Sequence, residues 1–141
     1  MEIFKVENLS FAYPESEKNA VDGVSFTVND GEFITLCGKS GCGKTTLLRL
    51  LKSSLSPQGN TNGSITYLGK SISTLSPRED AQNIGFVFQN PEFQICCDKV
   101  WHELAFGLES LGFSEDEIRL RVSETSSFLG ISHLFHKNVS E

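Results

Sequence analysis

Apolar and polar side chains alternate along Ile3-Phe4-Lys5-Val6-Glu7-Asn8-Leu9-Ser10 and again along Val24-Ser25-Phe26-Thr27-Val28, the period of strands with one face in solvent. A polar loop, 14–19, separates them, and Asn29-Asp30-Gly31 is a turn signal. Phe33-Ile34-Thr35-Leu36-Cys37 differs in kind: nearly every position is apolar or β-branched, which predicts a parallel strand covered on both faces. The run 46–52 holds strong helix formers and no breaker. A polar stretch, 53–63, leads into Ser64-Ile65-Thr66-Tyr67, a turn at Leu68-Gly69, and Lys70-Ser71-Ile72, which predicts a short hairpin. Ile84-Gly85-Phe86-Val87-Phe88 predicts another core strand, stopped by Pro91. From Val100 the period changes. Val100, Leu104, Leu108 and Leu111 recur at helical spacing up to Gly112, and Ser114 with Glu117 has the capping-box pattern of a further helix. Ile118, Val122, Thr125 and Leu129 share one face of that helix before Gly130 ends it.

Between the apolar run 33–37 and the helix 46–52 lies Gly38-Lys39-Ser40-Gly41-Cys42-Gly43-Lys44-Thr45, which fits G-x-x-x-x-G-K-[ST], the phosphate-cradling P-loop. Its glycines permit backbone conformations closed to residues with a Cβ, so several N–H groups can converge on the α- and β-phosphates of a nucleotide. Lys44 is then expected at the β/γ oxygens and the Thr45 hydroxyl at Mg²⁺, with the start of the following helix beneath the phosphates. The strand-loop-helix setting separates this reading from that of a flexible surface loop.

The remaining composition narrows the field. In 141 residues, twelve basic side chains face eighteen acidic ones, a formal charge of −6, whereas nucleic-acid binders carry a basic face; nucleic acid is not the expected partner. No apolar run approaches the ~20 residues that cross a bilayer, and no signal-peptide pattern opens the chain, so any membrane role is expected through a partner. Cys37, Cys42, Cys96 and Cys97 form no C-x-x-C pair, and His102, His133 and His136 supply no zinc frame. Free thiols are the reading that fits, with Cys42 a candidate for a thiol modification that blocks nucleotide.

Three motifs in one order carry a resemblance. Phe11-Ala12-Tyr13, the loop Gly38 to Thr46, and Val87-Phe88-Gln89-Asn90-Pro91 resemble the aromatic A-loop, P-loop and Q-loop of an ABC-transporter ATPase. The stretch Phe88-Gln89-Asn90-Pro91-Glu92-Phe93-Gln94-Ile95 followed by Glu103-Leu104-Ala105-Phe106-Gly107-Leu108-Glu109 is similar to the energy-coupling-factor branch, the ATPases of vitamin and cobalt or nickel importers. The resemblance implies an α/β fold: a P-loop NTPase core (33–52 and 83–91), an N-terminal antiparallel β subdomain (1–32 and 60–75) and the start of a helical subdomain (98–141). It implies that Tyr13 stacks on adenine, that Thr46 lies near the α-phosphate, and that Gln89 sits near Mg²⁺ and the attacking water and moves with the transporter. It also implies ATP and Mg²⁺ as cofactors, a second ATPase subunit, identical or paralogous, and a place on the cytoplasmic face of the cell membrane. A transmembrane coupling subunit is expected at the Q-loop region, where Phe93, Trp101 and Phe106 either line a groove for it or pack inward.

The resemblance next calls for a Leu-Ser-Gly-Gly-Gln signature, an acidic strand with the catalytic glutamate and a switch histidine, none of which occurs in residues 1–141. Turnover needs groups that orient the nucleophile and neutralise developing charge. Residues 1–141 alone are therefore expected to bind nucleotide weakly or transiently without hydrolysing it, and 33–37 to expose an unpaired edge that a second copy, a longer chain or a rearrangement would resolve, a strand-swapped dimer being one such form. Two further readings stay open: a nucleotide-binding module without turnover, and another P-loop NTPase such as a kinase or a DNA-repair relative.

Overall fold

The alternation at the start of the chain becomes β1 (Glu2–Ala12), and its inward positions explain a break in the period. Val6, Leu9 and Phe11 are all fully buried although 6 and 9 differ in parity. A bulge resets the register between them: Asn8 takes φ 46° and the ladder shifts on both sides of β1. Opposite this bulge stands Gly63, where a Cβ would lie 2.5 Å from the carbonyl oxygens of Glu7 and Asn8. In the computed structural model, which describes residues 1–140, β1 is the centre of a four-stranded antiparallel sheet. β2 (Val21–Asn29) pairs on one side and β3 (Asn60–Tyr67) on the other, with the short β4 (Lys70–Ser71) completing the predicted hairpin.

Helix α1 (Lys44–Leu50) lays Leu47 and Leu50 against this sheet, joining Val6, Leu9, Phe11, Val21, Ile65, Ile72 and Leu75 in one core. Helix α2 (Pro77–Asn83) is absent from the sequence reading, although Ser76-Pro77-Arg78-Glu79 carries its signal. The Ser76 hydroxyl accepts from the Glu79 N–H and the Glu79 carboxylate accepts from the Ser76 N–H at 2.9 Å, with Pro77 in the first turn. One turn on, Asp80 is only 1% exposed. Its carboxylate accepts from the N–H groups of Ser53 (3.1 Å) and Ser54 (3.2 Å) and pairs with Lys52 Nζ at 3.3 Å. Lys52 also donates to the carbonyls of Asp80 and Ile84. Burial pushes the Asp80 carboxyl up, but the Ser54 hydrogen bonds and the Lys52 ammonium outweigh it and hold the group below its usual range.

Two predicted core strands do not form as strands. Residues 33–37 and 84–88 belong to no ladder, and Phe33 is 95% and Val87 78% exposed. A strand exists only where a neighbour supplies the other half of its hydrogen bonds, and among the described residues no strand pairs with either run. At 86–88 a side chain takes part of that role: Gln94 Oε1 accepts from the Phe88 N–H at 2.6 Å and its Nε2 donates to the Phe86 carbonyl at 3.0 Å.

The chain divides into two compact units, Met1–Gly85 and the residues from Phe86 on, so the division runs through the 83–91 segment expected within one core. The second unit contains both predicted helices, α3 (Val100–Ser110) and α4 (Glu115–Phe128). The Ser114/Glu117 capping box is present, and the Ser114 hydroxyl and N–H hold the Glu117 carboxyl below its ordinary range. Before α3, Glu103 Oε2 accepts from the N–H groups of Cys96 (2.9 Å) and Cys97 (2.8 Å), fixing the incoming loop. After α4 the chain returns beside this loop, with the N–H groups of Val100, Trp101 and Val139 donating to the carbonyls of Lys137, Phe135 and Asp98. The expected inner face of α4 is only partly inside: Val122 is buried, whereas Leu129 is exposed because the helix ends at Phe128. Among the described residues, no helix is long and apolar enough to cross a membrane.

Candidate nucleotide-binding site

The phosphate loop is built by two left-handed glycines and one tight turn. Residues 33–39 run without regular structure into a turn in which the Cys42 N–H donates to the Lys39 carbonyl at 3.3 Å. Gly41 (φ 80°) and Gly43 (φ 91°) then swing the chain into α1, whose first bond runs from the Leu47 N–H to the Gly43 carbonyl. Gly43 is required twice over, since a Cβ there would also lie 2.0 Å from the Ala20 carbonyl oxygen on the approach to β2.

Lys44 folds back over this loop. Its Nζ donates to the carbonyls of Gly38 (2.8 Å) and Lys39 (2.7 Å) and stands 3.6 Å from Cys42 Sγ. The ammonium therefore lies on the bend that the sequence assigns to phosphate, held there by two carbonyls. Thr45 is exposed at the start of α1, with its hydroxyl available to a ligand, and Thr46 is buried beside it.

Tyr13, 33 positions from Thr46, is brought to the same place. Its hydroxyl is 3.0 Å from Thr46 Oγ1, its ring meets Phe11 edge-on at 5.0 Å, and it remains 40% exposed. The bond fixes the ring at the flank of α1 while leaving aromatic surface in solvent. A cavity of about 420 Å³ on this unit is lined by Val21, Cys37, Cys42, Gly43 and Lys44 among others.

Gln89 belongs to the second unit, at an exposed bend directly after the segment that Gln94 pins. Phe93 and Phe106 are exposed there, while Trp101 is half-buried and stacks on Phe135 at 6.4 Å, which favours a packing role for the tryptophan. The sequence reading gave no role to Gln94, Glu103 or Asp80, the side chains that hold the loops around the motifs. Asp80 was legible, because it follows a proline-started capping box. Gln94 and Glu103 carry no spacing signal, since both act on nearby backbone through geometry alone.

A glycine-built phosphate loop with a lysine over it, leading into a helix packed on an antiparallel sheet, defines a P-loop nucleotide-binding domain. The chain belongs to the ABC transporter family: the family described as "ABC transporter" matches residues 21–141. A putative ABC transporter ATP-binding protein of Bacillus cereus is 44% identical over 96% of this chain, which spans only 24% of that protein's length. The cobalt import ATP-binding protein CbiO of Syntrophus aciditrophicus is 39% identical over 92% of this chain and 45% of its own. Among solved structures, cbiO1 of Clostridium perfringens, described as part of the ABC transporter complex cbiONQ, superposes with a TM-score of 0.80 at 32% identity. That match covers 97% of this chain and 54% of cbiO1. A dimeric ATP-binding cassette in a post-hydrolysis state with ADP and Pi matches at a TM-score of 0.77 and 21% identity, over 98% of this chain and 62% of that one, a likeness of fold alone. The implied family and fold class, an α/β P-loop NTPase with an antiparallel β portion, are thus those found.

Proposed function

We propose that the full-length protein carrying this chain binds and hydrolyses ATP to power an importer of the energy-coupling-factor type. The observation that carries the reading is Lys44, whose ammonium lies over a loop bent by Gly41 and Gly43 and bonded only to neutral carbonyls and a thiol. Mg-ATP fits these residues: a lysine ammonium over the loop, a glycine cradle in which a Cβ at Gly38 would strike Cys42 Sγ at 2.7 Å, and an exposed hydroxyl at Thr45. Bound ATP supplies the phosphoanhydride whose cleavage releases the energy. Lys44 would exchange its carbonyl partners for terminal phosphate oxygens, Thr45 and Gln89 would offer oxygens to Mg²⁺, and Lys39, Ser40, Gly41, Cys42, Gly43 and Thr46 would wrap the phosphates. Tyr13, anchored through Thr46, presents its ring to the base.

Gln89 is further assigned the alignment of the attacking water, and its neighbourhood the contact with a transmembrane coupling subunit. A second ATPase subunit, identical or paralogous, completes the assembly on the cytoplasmic face of the membrane. Cobalt is named for one relative, the CbiO of Syntrophus aciditrophicus, which favours a metal-ion cargo over a vitamin.

Calorimetric titration of Mg-ATP tests the site. Lys44→Ala is expected to lose about 1.5–3 kcal/mol of binding, the worth of a charged hydrogen bond; unchanged affinity would remove the site assignment. Tyr13→Ala is expected to weaken ATP and GTP alike by about 1–3 kcal/mol, since stacking is indifferent to base edges. Selective loss of one base would instead point to an edge-reading pocket.

A further inference from the structure

Two cysteines share the cavity beside the phosphate loop, and nucleotide binding uses neither thiol. Cys37 and Cys42 are both free, both exposed, and both line the same cavity of about 420 Å³ together with Gly43 and Lys44. The turn closed by the Cys42 N–H and the Lys39 carbonyl folds Cys42 back over the preceding residues. It goes so far back that a Cβ placed on Gly38, the residue joined to Cys37, would lie 2.7 Å from Cys42 Sγ. The lysine ammonium 3.6 Å from that sulfur is the kind of cationic neighbour found beside reactive cysteines.

We propose that Cys37 and Cys42 are a peroxide-responsive dithiol whose disulfide closes the phosphate loop. In the first step the Cys42 sulfur attacks the O–O bond of a peroxide; an S–O bond forms, the O–O bond breaks, and hydroxide leaves and takes up a proton. In the second step the Cys37 sulfur attacks the resulting sulfenic acid, an S–S bond forms, the S–O bond breaks and water leaves. Two thiols lose two electrons and two protons, and one hydrogen peroxide becomes two waters. A disulfide needs Cα atoms about 4.4–6.8 Å apart. Gly38 joins Cys37 to the turn and Gly41 lies within it, where a Cβ would meet nothing, so neither glycine puts a side chain between the two sulfurs. The other two cysteines do not share this setting: Cys97 is partly buried, and burial followed by the Glu103 carboxylate pushes its thiol up.

The effect on binding rests on the ATP reading above; the dithiol chemistry does not. The bond would pull Cys42 toward the end of the 33–37 segment and take up the space in which Lys44 and the loop receive phosphate. The test exposes the full-length protein to hydrogen peroxide, alkylates the remaining thiols with iodoacetamide and maps the peptides by mass spectrometry. Mg-ATP binding is measured in parallel, before and after dithiothreitol. The expected result is a Cys37–Cys42 linkage, loss of ATP binding, and recovery of both thiols and binding on reduction. Reduced Cys37→Ser is expected to bind as the parent does, but under peroxide its Cys42 should advance to sulfinic acid, which dithiothreitol does not reverse. Alkylation of both cysteines after peroxide, a sulfinic Cys42 in the parent, or a Cys42 linkage to another chain would each overturn the proposal. A reversible Cys37–Cys42 linkage in a protein whose reduced form binds no ATP would uphold the dithiol and remove the nucleotide reading instead.

Discussion

β1 and the segment 33–38 are both rich in apolar side chains, yet one is the centre of the core and the other lies open. β1 has strands on both sides and buries Val6, Leu9 and Phe11 completely, whereas 33–38 has no ladder and leaves Phe33, Ile34 and Leu36 exposed. Hydrophobicity alone does not separate them, since the 33–37 run is the more apolar. Partners do. A strand's backbone groups are satisfied by its neighbours, so local sequence proposes a strand and only the rest of the fold completes it.

The contrast can be broken or sharpened by substitution, read as urea unfolding midpoints. The largest effects are expected at two buried side chains, the first of them Asp80, which ties the end of α1 to α2. Asp80→Ala should cost about 3–5 kcal/mol by leaving Lys52 and two N–H groups without their buried partner. The pH dependence has a defined sign. The folded carboxyl lies below its unfolded value near 3.8, so its contribution is fully present above about pH 5 and is lost as the pH falls through the folded value. The same substitution should therefore flatten the acid limb of the stability curve, and an unchanged limb would refute the assignment.

Phe11→Ala should cost about 3–5 kcal/mol, the range of an aromatic removed from a packed core. Ser114→Ala should cost about 1 kcal/mol, removing one half of the capping box on α4. Phe33→Ala, at the other pole of the comparison, should lie within about 0.5 kcal/mol of the parent. If Phe33→Ala instead costs as much as Phe11→Ala, the 33–37 run is paired and covered in solution, and the difference between the two regions disappears.

Much of this was legible beforehand, and particular residues say why. The Ser114/Glu117 box, the helix from Val100 and the hairpin at Leu68-Gly69 depend on interactions within a few positions, and each is present close to its predicted place. The bend at Gly41 and Gly43 was equally readable, because only glycine takes those conformations without strain. Helix α2 was overlooked despite an equally local signal at Ser76 and Glu79.

The sequence by itself determined the glycine bend before α1, the starts of α3 and α4 and the family, because these are written in short-range patterns of residue type. Tertiary structure alone decided that Tyr13 meets Thr46, that Asp80 is the buried tie to Lys52, and that Lys44 rests on the carbonyls of its own loop. It also decided that, among the described residues, neither 33–37 nor 84–88 joins a ladder. These outcomes depend on which distant groups arrive within hydrogen-bonding reach, and spacing along a chain does not encode that distance.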